Sequence, residues 1–226
     1  MKLSVNESNV AIVDGVYEDQ QFKDFHSYFN KLDFNYASNT GWQKVWRITD
    51  GQILGSHAVN HSQMPTNTPF DWIDQTVYLL AKQHFEHIVG KEGEDWVDII
   101  HRPYIYPVGT KISWHDDFAY SGACIFYCHT EWSPYWGGEL FVAKTSSPEE
   151  CERLAKEKSK DSLNNIITRE YVNPILNEYG MGFYFSPLPN RMAFTSGKVW
   201  HAINRVDQSA GDAVRCSIVS FFKKKD

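Results

Sequence analysis

A chain of 226 residues with 42% hydrophobic and 15% aromatic content has the size of one domain and enough apolar mass for a sizeable core. Its formal net charge of −6 sets aside wholesale binding to nucleic acid or to an acidic membrane. No run approaches the roughly 20 apolar residues of a membrane span. The residues after Met1 form no apolar signal stretch, and Cys124, Cys128, Cys151 and Cys216 show no Cys-x-x-Cys spacing. The expectation is a cytoplasmic protein with reduced core thiols.

Residues 18–31 carry Phe22, Phe25 and Phe29 at spacings of three and four, which predicts an amphipathic helix. Residues 43–49 read as a strand, and 50–69 as a long loop. A second helix is predicted over 69–89. Thr68 can cap it, Pro69 suits its first turn, Asp71 sits near its positive end, and Gly90 ends it. Its apolar stripe is Ile73, Val77, Leu80, His84 or Phe85, and Ile88.

From residue 95 the pattern changes to short strands: 95–106, 110–116, 123–130, 139–143, 181–187, 191–195, 199–205 and 213–222. This spacing predicts a mainly β protein with flanking helices (α+β), a two-sheet jelly roll with the N-terminal helices outside one sheet. The organisation expected is a single domain over 1–226. Residues 1–95 form an N-terminal elaboration, and 96–222 a jelly-roll core interrupted by an insertion at about 146–180. The insertion reads as a charged helix over 148–158 and a second helical stretch within 161–178, near the mouth of the cavity. Such insertions often carry substrate selectivity.

Three residues carry the chemistry. His115 and Asp117 stand two apart near the end of the strand predicted at 110–116, so both can address one ion from one face. His201 follows far downstream on another predicted strand. His-x-Asp with a distal His is the sequence form of the two-His-one-carboxylate triad, which holds Fe(II) and leaves positions open for oxygen and an organic ligand. Asp116 points away in this reading, and an early turn would exchange its role with Asp117. Arg215 follows in an apolar run, where a buried guanidinium can pair with a dicarboxylate. The pairs His84/His87 and His57/His61 find no third ligand at suitable spacing, although His57 and His61 can line a cleft.

Further segments fall in order around the triad. They are Tyr106-Pro-Val-Gly109, Ile125-Phe-Tyr-Cys-His-Thr-Glu-Trp132, Trp136-Gly-Gly-Glu-Leu140, Pro189-Asn-Arg-Met-Ala-Phe194 and Arg215-Cys-Ser217. Together, over about residues 98–222, they resemble the iron(II)/2-oxoglutarate-dependent oxygenases of the prolyl-4-hydroxylase-like group. Cys128 and His129 depart from that group's Tyr-Leu-Asn-x-x-Trp pattern. The resemblance implies a double-stranded β-helix with Fe(II) on His115, Asp117 and His201. It places the distal carboxylate of 2-oxoglutarate on Arg215, with Tyr127 donating a hydrogen bond and Ser217 assisting. Tyr106 would touch the co-substrate or the substrate.

The implied reaction consumes O2 and 2-oxoglutarate, releases succinate and carbon dioxide, and hydroxylates an unactivated C–H bond, with ascorbate as a reductant. The implied substrate is a prolyl peptide or a free amino acid; no nucleic-acid or membrane partner is implied. Asp117 stands where related halogenases carry a small residue, so hydroxylation is expected over halogenation. The alternatives are a hydrolase or isomerase using another divalent metal on the same barrel, and a silent barrel acting as a sensor or binding module.

Overall fold

Strands buried on both faces build the centre of the molecule. The structure is a computed structural model and describes residues 1–37, 48–144 and 182–225. In chain order the elements are β1 (Lys2–Asn6), β2 (Val10–Asp14), α1 (Asp19–Phe29), β3 (Asn35–Tyr36), β4 (Leu54–Gly55), β5 (Val59–Asn60), α2 (Phe70–His84) and α3 (Glu86–Val89). Then come β6 (Trp96–Tyr106), β7 (Ile112–His115), β8 (Tyr120–Tyr127), β9 (Leu140–Val142), β10 (Phe183–Phe185), β11 (Arg191–Ser196), β12 (His201–Ile203) and β13 (Arg215–Lys224).

Among the described residues the strands form two antiparallel sheets. The larger runs β1-β2-β11-β8-β13-β6-β4-β3, with β5 also on β6, and the smaller runs β10-β9-β12-β7. This is a double-stranded β-helix with flanking helices. The period of two in β13 shows how the layers arise. Cys216, Ile218 and Phe222 point to one face and join a core with Phe25, Phe29, Ile73, Val77 and Phe85 of the helical layer. The alternate residue Val219 points into a second core between the sheets, with Tyr106, Ile112, Ile125, Tyr127, Leu140, Val142 and Ile203. The active-site candidates belong to this inner face. No helix among the described residues is long and apolar enough to cross a membrane.

Several expectations change in detail. The long second helix breaks at Phe85, whose backbone (φ −125°, ψ 20°) leaves helical geometry. The break turns the Phe85 ring inward to 4.6 Å from Phe194, so tertiary burial overrides the continuous helical pattern. Thr68 Oγ1 accepts from the Phe70 amide at 3.3 Å, next to Pro69 as expected. The segment 50–69 is not all loop, because β4 and β5 add to the edge of β6. Residues Val10–Asp14 pair with β11 and so enter the large sheet. The strand expected at 43–49 lies outside the described residues except for its end, where Ile48–Asp50 forms a 3-10 turn. The insertion at 146–180 and Cys151 lie outside them entirely. Cys124, Cys128 and Cys216 are buried free thiols.

A polar network crosses the helix–sheet layer. Asp74 of α2 accepts from His101 Nε2 at 2.9 Å and from His61 Nδ1 at 2.8 Å, while the His101 Nδ1 lies 2.8 Å from Ser220 Oγ. His101 and Ser220 are fully buried. Burial acts to raise the Asp74 carboxyl, but the hydrogen bonds from His101 and then His61 outweigh it and hold it below its ordinary 3.8. Asp74→Ala strands a buried donor, a loss of about 1–3 kcal/mol. The expected fall in melting temperature at neutral pH is about 2–4 °C per kcal/mol. Because the folded carboxyl titrates below the unfolded one, its contribution is complete above 3.8 and disappears as pH falls through the lower folded value. Melting curves from neutral to acid pH should show the gap between wild type and Asp74→Ala closing. A constant gap would reject this linkage.

Candidate active site

His115 ends β7 and His201 opens β12, and the two strands are direct neighbours in the small sheet, with His115 opposite His201. The small sheet brings these ligands together by placing the two histidines as a cross-strand pair. Their ring centres are 4.3 Å apart. Asp117 follows the end of β7, and its carboxylate oxygens lie 3.9 Å from His115 Nε2 and 3.5 Å from His201 Nε2. One ligand atom from each residue falls within 4.8 Å of the others. Asp116 instead accepts the Phe118 amide in the turn that follows.

Both imidazoles are fixed from behind. His115 Nδ1 donates to the Ser113 carbonyl at 2.8 Å, and His201 Nδ1 donates to the Val199 carbonyl at 3.0 Å. A carbonyl only accepts, so each Nδ1 carries a proton, and in the neutral form of each ring the Nε2 lone pair faces the common centre. Strand β7 is itself anchored by Asp50, which accepts from Ser113 Oγ at 2.7 Å and from the Ser113 amide at 3.2 Å. Two neutral imidazoles and one carboxylate facing a shared point fit a divalent transition metal.

Deeper in the same interior, Arg215 is fully buried. Its Nε donates to the Gly138 carbonyl at 2.9 Å and its Nη1 donates to Ser217 Oγ at 3.4 Å. The guanidinium carbon lies 4.7 Å from the Tyr106 ring centre and 4.9 Å from that of Tyr127. Two buried polar atoms here have no hydrogen-bond partner among the described residues: Arg215 Nη2 and the Tyr127 hydroxyl. Burial raises the Tyr127 phenol, with Arg215 acting in the opposite direction. Burial likewise pushes the Tyr106 phenol to about 12, so both stay protonated donors at neutral pH. A buried cation beside an unsatisfied hydroxyl is costly unless an anion with lone pairs joins them. A carboxylate fits that description. All four residues expected from the sequence to bind the co-substrate, Arg215, Tyr127, Ser217 and Tyr106, thus lie together.

The turn at residues 136–140 shapes this end of the interior. Gly137 and Gly138 have φ of 71° and 74°. A Cβ on Gly137 would meet the Arg205 carbonyl at 2.0 Å, and one on Gly138 would meet Arg215 Cδ at 2.9 Å. Trp132 Nε1 donates to the Gly137 carbonyl at 2.8 Å, holding the turn from outside. His129, one of the departures noted above, is lowered to about 4, chiefly by burial. It is therefore neutral at physiological pH, donating through Nε2 to the Pro187 carbonyl at 2.6 Å and accepting the Cys216 amide on Nδ1 at 3.2 Å. The departure serves the ladder end, outside the set of groups that face the ligand space.

His61 is drawn into the Asp74 network and stacks on Tyr78 at 4.8 Å, which removes it as a cleft residue. Arg102, which the sequence reading did not single out, lies on the inner face. Its signal was present, since it shares the alternation of Tyr104 and Tyr106 along β6.

No family model matches the sequence, and no curated protein matches it. Solved structures do match the fold. A Pseudomonas putida prolyl-4-hydroxylase superposes with a TM-score of 0.61 at 14% identity, over 96% of this chain and 93% of that one. A Trichoplax adhaerens prolyl hydroxylase, solved with a peptide fragment of the oxygen degradation domain of hypoxia inducible factor, gives 0.59 at 12% identity, over 96% and 84%. A non-heme alpha ketoglutarate dependent epimerase from nogalamycin biosynthesis gives 0.53 at 12% identity, over 96% and 78%. The likeness first visible in short motifs therefore extends to the whole fold, which is the jelly roll of the 2-oxoglutarate oxygenases.

Proposed function

We propose that the chain is an Fe(II)- and 2-oxoglutarate-dependent dioxygenase that hydroxylates an unactivated C–H bond. One observation carries the reading: the same interior holds a His115/Asp117/His201 cluster and, deeper, a buried guanidinium and phenol with unsatisfied donors. His115, Asp117 and His201 would hold the iron. Arg215 would pair with the distal carboxylate of 2-oxoglutarate, Tyr127 would donate a hydrogen bond to it, Ser217 would fix the guanidinium, and Tyr106 would pack over it as a donor. When bound, iron and 2-oxoglutarate reduce oxygen as the keto acid is split to succinate and carbon dioxide, and one oxygen atom enters the substrate.

The residues of this chain position and exclude. The Nδ1 contacts of both histidines keep Nε2 available, and the apolar walls from Ile112, Ile125, Leu140 and Ile203 keep bulk water from the reacting centre. The reading takes 1–226 as a single domain, with 96–222 as its catalytic core, the segment at about 146–180 as a selectivity element, and ascorbate as an external reductant. Its substrate is a prolyl peptide or a free amino acid. The peptide complex of the Trichoplax relative supports the former, and the epimerase likeness shows how widely chemistry varies on this fold.

The test is purified protein given Fe(II), 2-oxoglutarate and oxygen, with succinate as the readout. Expected is succinate release that requires both metal and keto acid and accelerates with a substrate gaining one oxygen by mass. Turnover with another divalent metal and no 2-oxoglutarate would replace this reading with the hydrolase one. Neither binding nor consumption of 2-oxoglutarate would reject it.

A further inference from the structure

A second arginine faces the same interior. Arg102 precedes Tyr104 and Tyr106 by two and four residues on β6, so it points inward with them. Across the sheet it stands opposite Val219, a member of the inner core. Arg215 stands opposite Tyr106. The two arginines therefore share one wall, their backbone positions about 13 Å apart along the strands at ~3.3 Å per residue. Arg102 lies toward the other end from the closed pocket around Arg215. Its guanidinium carbon is 6.0 Å from the Tyr104 ring centre. Beside it, Tyr120 and Phe221 stack at 4.6 Å. The Tyr120 amide donates to the Asp117 carbonyl at 2.7 Å, which ties this ring's backbone to the residue that bears the metal carboxylate.

Arg102 Nε is buried without a hydrogen-bond partner among the described residues. The Nε–Nη edge is the two-pronged face of arginine that matches a carboxylate. Within the dioxygenase reading, 2-oxoglutarate has no carboxylate left for it. The distal one goes to Arg215, and the keto-acid end belongs at the iron. A carboxylate on the molecule being oxidised fits the Nε edge of Arg102. We propose that Arg102 is a specificity residue that grips a free carboxylate of the substrate, and that the substrate is accordingly a free amino acid rather than an internal residue of a peptide. This inference rests on the dioxygenase reading for the place of 2-oxoglutarate.

The experiment titrates the twenty free L-amino acids, their carboxamides and their N-acetyl carboxamides into oxygen-free protein holding Fe(II) and 2-oxoglutarate, read by calorimetry. At least one free acid should bind, and its carboxamide should bind about ten- to a hundredfold more weakly, the worth of a hydrogen-bonded charge. Arg102→Met should weaken the acid by the same factor, add no further loss to the carboxamide, and leave Arg102→Lys in between. The KM for that acid in succinate release should rise in parallel. The assignment is overturned if no free amino acid binds, if the amide or the peptide-like compound matches the acid, or if the loss in Arg102→Met falls on 2-oxoglutarate. Should Arg102→Met not fold, the comparison of acid with amide on the wild-type protein decides alone. Failure of the dioxygenase reading shows separately, as absent 2-oxoglutarate binding and consumption by the wild type, and the amino acid titrations repeated without keto acid then still decide Arg102.

Discussion

His201→Ala, His115→Ala and Asp117→Ala are each expected to abolish turnover and stoichiometric Fe(II) binding, which should be near one per chain in the wild type. The three ligand atoms lie within 4.8 Å of one another, so removing any one leaves two donors and the wrong charge. Loss of an outer contact to a ligand already costs about 10–100-fold in affinity or activity, and loss of a ligand costs more. Equilibrium dialysis against Fe(II) checks the metal, and succinate release checks the reaction. Asp116→Ala is the internal comparison, since the Asp116 carboxylate caps the turn at Phe118. Retained activity in Asp117→Ala with loss in Asp116→Ala would show that the carboxylate has been misassigned.

Arg215→Ala is expected to raise the KM for 2-oxoglutarate about ten- to a hundredfold, the equivalent of roughly 1.5–3 kcal/mol for a charge-assisted pair. Arg215→Lys should recover part of it, because an ammonium cannot reproduce the planar fork. The same residue predicts an unusual stability result. Arg215 is fully buried, and its contacts are a carbonyl, a hydroxyl and two ring faces, with Nη2 unsatisfied. Replacing it with methionine removes a buried cation lacking its anion, a change that is often neutral or stabilising. Arg215→Met should therefore melt no lower than the wild type without ligand, while the upward shift produced by 2-oxoglutarate disappears. An unchanged KM in Arg215→Ala would remove the main support for this co-substrate.

The sequence made the site legible because its parts are local. His115 and Asp117 are two apart, the Trp136–Leu140 turn is contiguous, and the strands described from residue 96 onward are short apolar runs set off by turn residues. What stayed hidden depends on partners far away in the chain. The Asp74–His101–Ser220 contacts join residues 27 and 119 apart, and no pattern within a helix or strand announces them. Helix α2 stops at Phe85 because Phe194, on a strand much later, offers its ring a place. β2 looks like any short apolar run until β11 accepts it as a neighbour. Arg102 was passed over although it alternates with Tyr104 and Tyr106, because an arginine in a strand reads as solvent-facing; its pairing opposite Val219 of β13 puts it on the inner side.

The glycine turn gives the buried guanidinium a property beyond charge. Arg215 Nε is tied to a main-chain carbonyl of the turn, and its Cδ rests so near Gly138 that a methyl group there would touch it at 2.9 Å. A lysine or an arginine on a loop can lean toward whatever acid arrives. This one is seated on backbone at both its stem and its head, while the histidines that define the opposite end are paired across one sheet. The interior therefore works as a gauge of fixed span. Under the proposed function, a keto diacid one methylene shorter or longer than 2-oxoglutarate is expected to bind more weakly, because neither end of the site is free to follow it.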